Sequence, residues 1–244
     1  MKVLCLHGSY GSAKAFRTQL DPFVSKIEVS GDGSFKFVDG QFAVEPPEGF
    51  TDYFGPPPHY RNIDFDGIDG LGKMIDTLRD NMDNGSNEDT LRHLLEGGDF
   101  TNNAGHVVKT FARIKQLLDE DLEIDGILGY SEGATAAASY LLHEAQQEQI
   151  MAFFFAGWPP FLCEDGKLTT ILADESEVVI DVPTCHIVGS SDPYLYGAMA
   201  LYAVCDEDNA TLFDHGKGHT VPRDQTTIHE LVESIRTTVA KASA

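Results

Sequence analysis

The 244-residue chain reads as an α/β fold, a mostly parallel sheet with helices on both faces and a small helical insertion or lid. Three observations predict this. Apolar runs of strand length recur at Val3 to Leu6, Ile124 to Gly129, Ile150 to Ala156, Val182 to Val188 and Thr211 to Asp214. Helically spaced apolar residues stand between several of them, and such alternation builds parallel sheets. The loops after these runs carry Gly, Ser, Asp and His, and parallel sheets bind ligands at the carboxyl ends of their strands. One domain spanning 1–244 suits a chain of this length, with the insertion at about 61–103 within it.

Taken in order, Val3 to Leu6 is a buried strand that runs into His7-Gly8-Ser9-Tyr10-Gly11-Ser12. A helix begins near Ala13 and carries Phe16, Leu20 and Phe23 on one face. A glycine-bearing loop between strand and helix can cradle a phosphate or donate backbone N–H groups to an oxyanion. The spacing of Gly8 and Gly11 matches neither G-x-G-x-x-G nor G-K-[ST], so an oxyanion loop and a simple turn remain. Phe35 to Phe42 is the next strand, weakened by Gly40. Val44 to Tyr60 is too rich in proline for helix or inner strand and reads as an irregular loop. Its Phe50, Tyr53, Phe54 and Tyr60 are either anchors on the domain or walls of a pocket.

Helical spacing returns from Gly67 to Met82, and Asp83-Asn84-Gly85-Ser86-Asn87 ends it with turn residues. A short piece follows from Thr90 to Leu95, then a longer helix from about Gly105 to Leu118. Ile150 to Ala156 is apolar throughout, as expected of a strand buried on both faces. Trp158-Pro159-Pro160-Phe161 follows at its carboxyl end, which makes Trp158 and Phe161 either pocket walls or a plug over the sheet. A helix over Arg223 to Ala240 closes the chain.

The most informative stretch is Gly129-Tyr130-Ser131-Glu132-Gly133. It fits G-x-S-x-G, in which a serine sits on a sharp turn between strand and helix, and the flanking glycines avoid clashes with both. The strand before it and the alanine-rich helix after it supply that context. The two later post-strand loops carry Asp192 and His219, so Ser131, Asp192 and His219 follow in the chain order of an α/β-hydrolase triad. A serine hydroxyl needs an imidazole to take its proton, and the imidazole needs a carboxylate to fix its tautomer. Backbone N–H groups of Ser9 and Glu132 would bind the oxyanion; the Glu132 carboxylate is not needed as an acid or base, so Glu132→Gln is expected to be mild. Tyr10 and Tyr130, beside these serines, join Trp158 and Phe161 as candidate substrate contacts.

Rivals exist for two triad members. His215 could replace His219 as base, or the two could share a metal at i, i+4 spacing, although Gly216 and Gly218 disfavour the helix that spacing requires. Asp206 and Asp208 compete with Asp192 but do not directly follow a strand. His7 reads as structural. The expectation is a triad with no metal and no cofactor.

Composition narrows the partners. The 39 acidic and 17 basic residues give a net charge of −22, which argues against nucleic acid and anionic membrane surfaces. Four scattered cysteines show no C-x-x-C pair, the N-terminus enters a strand directly, and no apolar run spans a membrane, so a cytoplasmic protein is expected.

The motifs Leu4-Cys5-Leu6-His7-Gly8, Gly129-Tyr130-Ser131-Glu132-Gly133, Val188-Gly189-Ser190-Ser191-Asp192 and Gly218-His219-Thr220-Val221-Pro222 together resemble the fungal FSH-type serine hydrolases. That resemblance implies an α/β-hydrolase fold and a triad on Ser131, Asp192 and His219. It further implies a small-molecule acyl ester or thioester as substrate, cleaved in fungal polyketide metabolism, with a polyketide synthase carrier domain as a partner. Carrier domains are acidic, as is this chain, so docking would need a local basic patch from Lys14, Arg17 or Lys217. A non-catalytic small-molecule-binding protein on the same scaffold is the alternative.

Overall fold

The computed structural model describes residues 1–63, 85–95, 104–144 and 150–242. Along the chain the elements are β1 (Lys2–Leu6), α1 (Ala13–Ser30), β2 (Ser34–Val38), β3 (Phe42–Val44), α2 (Thr51–Phe54) and β4 (His59–Arg61). Next come α3 (Asn87–Leu95), α4 (Ala104–Asp119), β5 (Gly126–Tyr130), α5 (Glu132–Glu144), β6 (Met151–Phe155), β7 (Phe161–Glu164) and β8 (Lys167–Thr170). The chain ends with β9 (Thr184–Val188), α6 (Leu195–Ala203), β10 (Ala210–Asp214) and α7 (Gln225–Ala242).

The main sheet is parallel at every pairing and has the order β10-β9-β6-β5-β1-β2. Because side chains alternate across a strand, the inner strands feed two cores. Val3, Cys5, Leu128, Phe153, Phe155 and Ile187 pack with α1 and α7 residues such as Phe16, Leu20 and Leu231. Leu4, Leu6, Ile127, Ala152 and Phe154 pack on the opposite face with Phe111 and Ile114 of α4 and the alanines of α5. Inner strands buried on both faces explain why β5, β6 and β9 read as continuous apolar runs. From β1 the order steps one way to β2 and from β5 the other way to β6, so β1 and β5 flank the switch point at whose carboxyl ends open α/β sheets bind ligands.

Three local expectations need correction. The strand expected over Phe35 to Phe42 is two strands, because Gly40 turns the chain so close to β4 that an added Cβ would lie 2.4 Å from the Arg61 carbonyl oxygen. The Val44 to Tyr60 loop is bounded by an antiparallel pair, β3 with β4, and holds the short helix α2. Phe161 opens a hairpin, β7 with β8, whose turn residues Asp165 and Gly166 have φ of 49° and 74°. That double left-handed turn is the one an Asp-Gly pair favours. The helix expected over Gly67 to Met82 lies outside the described residues, as does most of the 61–103 insertion. Within it, α3 packs through Leu91 against Ala200 of α6, Leu172 and Trp158. Among the described residues no helix is long and apolar enough to cross a membrane.

Candidate active site

Ser131 joins β5 to α5 with φ 52°, the left-handed region that non-glycine residues seldom occupy. Such a conformation costs about 1–3 kcal/mol and persists only where neighbours hold it. Here the Ser131 N–H donates to Phe155 O on β6 at 2.8 Å, and Ser131 O accepts from the N–H groups of Ala134 and Thr135 at 3.0 and 3.1 Å. The flanking glycines allow the turn. A Cβ at Gly129 would lie 2.4 Å from Ala134 Cα, and one at Gly133 would lie 2.2 Å from Leu6 O. The small residues of α5 therefore let it press against β1 and β5, and its N-terminus stands at the carboxyl edge of the sheet, where a helix N-terminus favours developing negative charge.

Asp192 and His219 meet at the same edge. Asp192 Oδ2 lies 2.8 Å from His219 Nδ1, while Asp192 Oδ1 accepts from the Tyr194 N–H at 2.8 Å. Asp192 is buried and His219 half-buried, so the pair has a dry carboxylate behind an accessible imidazole. Backbone bonds bring their two loops together. Ser191 N–H donates to Lys217 O at 3.1 Å, and Ser190 and Gly216 both donate to Asp214 Oδ1, at 2.9 and 2.7 Å. Gly189 makes this possible, since a Cβ there would lie 2.0 Å from Lys217 O. Asp224 caps α7 through Thr227 N–H at 3.0 Å and also pairs with Lys217, which steadies the base of the His219 loop.

His215, the rival base, lies against Gly189, where a Cβ would come within 2.7 Å of its Cε1. Burial holds its pKa below the usual histidine value. His7 is enclosed too. Its Nε2 accepts from Gly40 N–H at 2.8 Å and its Nδ1 lies 2.7 Å from Gly8 O, a pairing that requires the proton on Nδ1 and a neutral ring. Burial lowers its pKa accordingly. The cysteines are all free thiols, and burial raises Cys185 and Cys205 to about 12. Among the described residues no cluster of three or more His, Cys, Asp or Glu side chains could hold a metal.

The loop after β1 is fastened more heavily than its sequence suggests. Asn62 Nδ2 donates to His7 O at 2.7 Å, and Tyr60 N–H donates to Gly11 O at 2.9 Å. Ser9 Oγ donates to Glu132 Oε2 at 2.7 Å. The Glu132 carboxylate is buried and also accepts from Arg61 Nε and Asn62 N–H, both at 2.7 Å, and from Ile63 N–H at 3.3 Å. The Glu132 carboxylate, not expected to act as an acid or base, has a structural place instead: a buried charge is costly unless paired and hydrogen-bonded, and this one is both. No local signal marks Arg61 or Asn62, because their partner lies about 70 residues away in the chain.

The four aromatic candidates separate. The Tyr130 ring lies 5.2 Å from that of His219, and its hydroxyl donates to His219 O at 3.2 Å. Burial, then Tyr53, Asp192 and Tyr194, raise the Tyr130 pKa, so it stays a donor. Trp158 is half-buried beside Tyr194, ring centroids 6.2 Å apart, and Tyr194 in turn meets His219 edge to face at 4.9 Å. Tyr10 is enclosed instead, with Phe54 at 4.7 Å and the Arg61 guanidinium 5.6 Å over its ring. Phe161 is also not a wall. It lies in the core, with its N–H bonded to Ser139 Oγ at 2.9 Å, because β7 folds back onto α5. Sequence reasoning passed over Tyr194, although it stands two residues beyond Asp192 in the same loop.

Known proteins share this architecture. A mutant of Arabidopsis thaliana SOBER1 aligns over 98% of this chain and 99% of its own, at 14% identity and a TM-score of 0.56. A Bacillus cereus carboxylesterase aligns over 97% of this chain and 87% of its own, at 15% identity and a TM-score of 0.51. These likenesses establish the α/β-hydrolase fold. In sequence, an esterase from Fusarium mangiferae, FPY3, is 26% identical over 99% of this chain and 98% of its own length. The hydrolase phiM of Talaromyces stipitatus is 22% identical over 95% of this chain and 85% of its own. The family model described as Serine hydrolase (FSH1) matches residues 1–231, and the chain belongs to that family of serine hydrolases.

Proposed function

We propose that this protein is a serine esterase that cleaves a small acyl ester or thioester through an acyl-enzyme. Ser131 is the nucleophile, His219 the base that takes its proton and later protonates the leaving group, and Asp192 the carboxylate that holds the imidazole in its Nδ1–H tautomer. The observation that carries this reading is the left-handed Ser131 turn on the same sheet edge as the 2.8 Å Asp192–His219 pair. Backbone N–H groups of Ser9 and Glu132 receive the oxyanion, and loss of one such donor typically costs about 10²- to 10³-fold in rate. Water then attacks the acyl-enzyme with His219 again as base. Tyr130, Trp158 and Tyr194 line the approach.

The substrate reading rests on charge. Arg17 is bound to Asp21 and Glu28, and Lys217 to Asp224, so two of the three cations considered for carrier docking already have carboxylate partners. This favours a neutral soluble acyl compound over a carrier-bound one. The motif resemblance supports a place in fungal polyketide metabolism, and the relatives from Fusarium and Talaromyces, an esterase and a hydrolase, agree with the ester-cleaving reading.

Ser131→Ala should reduce turnover of a short p-nitrophenyl ester by about 10⁴-fold or more and abolish fluorophosphonate labelling. Retained activity in that variant would sink the assignment. Comparing a loaded carrier domain with the matching free thioester at low salt tests the substrate reading.

A further inference from the structure

We infer that the Glu132 carboxylate and Arg61, acting through the Ser9 hydroxyl, are positioning residues that set the spacing of the oxyanion donors. The inference rests on the assignment of Ser131 as nucleophile.

The two proposed donors come from separate segments. The Glu132 N–H belongs to the first turn of α5, and the Ser9 N–H belongs to the loop after β1. Their separation decides whether both reach one oxyanion, because such donors act only near hydrogen-bond distance from it. The side chains of the same two residues are bonded to each other, Ser9 Oγ to Glu132 Oε2 at 2.7 Å. A third segment locks the pair. Arg61 Nε reaches the same Oε2 at 2.7 Å, while the N–H groups of Asn62 and Ile63 occupy Oε1 at 2.7 and 3.3 Å. Arg61 and Glu132 are each 7% exposed, so bulk water does not compete for these bonds.

The segment that holds Glu132 also holds the loop. Asn62 Nδ2 grips His7 O, Tyr60 N–H grips Gly11 O, and the Arg61 guanidinium covers the Tyr10 ring. Residues 60–62 thus span the stretch around Ser9 on both sides and tie it to the residue after the nucleophile. A carboxylate suits this place because it accepts from all four donors without supplying any of its own. Glutamine would keep an oxygen for the two backbone N–H groups but turn an NH₂ towards Arg61, donor against donor.

The test compares wild type with Ser9→Ala and Glu132→Gln on three readouts: kcat and KM for a p-nitrophenyl ester, affinity for an aryl trifluoromethyl ketone, and thermal midpoint. The ketone reports the oxyanion site directly. Ser131 Oγ bonds to its carbonyl carbon, the C=O π pair becomes the alkoxide, and the Ser131 proton passes to His219. Ser9→Ala retains the backbone N–H and removes only the tether; it should lower kcat about 5- to 10-fold, leave KM within twofold, and weaken the ketone by the same factor as kcat. Glu132→Gln should lower kcat and ketone affinity by about 10²-fold. The inference is overturned if Ser9→Ala keeps wild-type kcat and ketone affinity, or if KM rises as much as ketone affinity falls. Should Glu132→Gln fail to fold, Ser9→Ala decides. Failure of the nucleophile assignment is distinct, since wild-type protein would then form no ketone or fluorophosphonate adduct on Ser131.

Discussion

Asp192 and Glu132 are both carboxylates at the carboxyl edge of the sheet, and each is 7% exposed, yet their surroundings differ. Asp192 accepts from one imidazole and one backbone N–H. Glu132 accepts from a guanidinium, a hydroxyl and two backbone N–H groups. An imidazole gains and loses charge within a catalytic cycle; a guanidinium and a peptide N–H do not. Burial makes a carboxylate expensive in both places, so the partner tells its use. In the proposed mechanism Asp192 answers a proton that moves, and Glu132 holds together parts that must not.

The largest effect should separate the two. Asp192→Asn can present its NH₂ to His219 Nδ1 and so favour the tautomer whose proton faces Ser131, leaving no base. We expect kcat to fall by roughly 10⁴-fold with the fold retained, well beyond the loss predicted for Glu132→Gln. Equal losses in the two variants, measured on one p-nitrophenyl ester, would break the distinction.

Acid should loosen the scaffold through its buried histidines. His186 is sealed between Phe154 and Tyr202, and burial lowers its pKa to about 3. His7 is lowered by burial too, and its Nε2 must remain an acceptor for Gly40 N–H. For both, the unfolded chain binds a proton below pH about 6.5 that the folded chain refuses, so stability is full above that pH and falls as pH drops through it. Each such histidine contributes a slope of up to about 1.4 kcal/mol per pH unit. Urea midpoints between pH 7 and pH 4.5 should show this decline, and His186→Gln should flatten it; an unchanged slope would mean that acid unfolding begins elsewhere.

Much of this architecture was legible because it is written locally. The inner strands appear as apolar runs since β5, β6 and β9 have no wet face, and the elbow glycines stand beside the serine they serve. Asp192 and His219 could be found because each directly follows such a run. The scaffold half was not legible. Glu132 sits inside the motif, but its meaning comes from Arg61 and Asn62, which no periodicity marks. Gly40 looked like a flaw in one strand, although the close approach of β4 requires it. Phe161 could have been placed through Asp165-Gly166, a hairpin signal that the apolar stretch before it overshadowed.

Two glycines offer matched levers on the halves. A Cβ at Gly189 would press within 2.0 Å of Lys217 O, and one at Gly40 within 2.4 Å of Arg61 O. Each alanine should cost about 1–3 kcal/mol of stability, as insertions into filled space do. Their catalytic signatures should differ. Gly189→Ala moves the His219 loop and should lower kcat while shifting the pH–rate profile; Gly40→Ala disturbs Arg61 and should weaken the trifluoromethyl ketone without that shift. If both variants change the same readout, the halves are one unit.

The smallest effect belongs to Trp158, which contacts neither carboxylate. Its ring packs over Gly197, where a Cβ would come within 2.4 Å of the indole, and the ring meets Tyr194, which in turn meets His219. A residue so placed can bind the acyl chain equally in ground and transition states, and loss of such binding raises KM while sparing kcat. Trp158→Ala should therefore raise KM about 3- to 10-fold for a long or aromatic acyl ester and hardly at all for an acetyl ester. A fall in kcat for the acetyl ester would instead mean that Trp158 orients Tyr194, and through it His219, extending the moving-proton half of the site to α6.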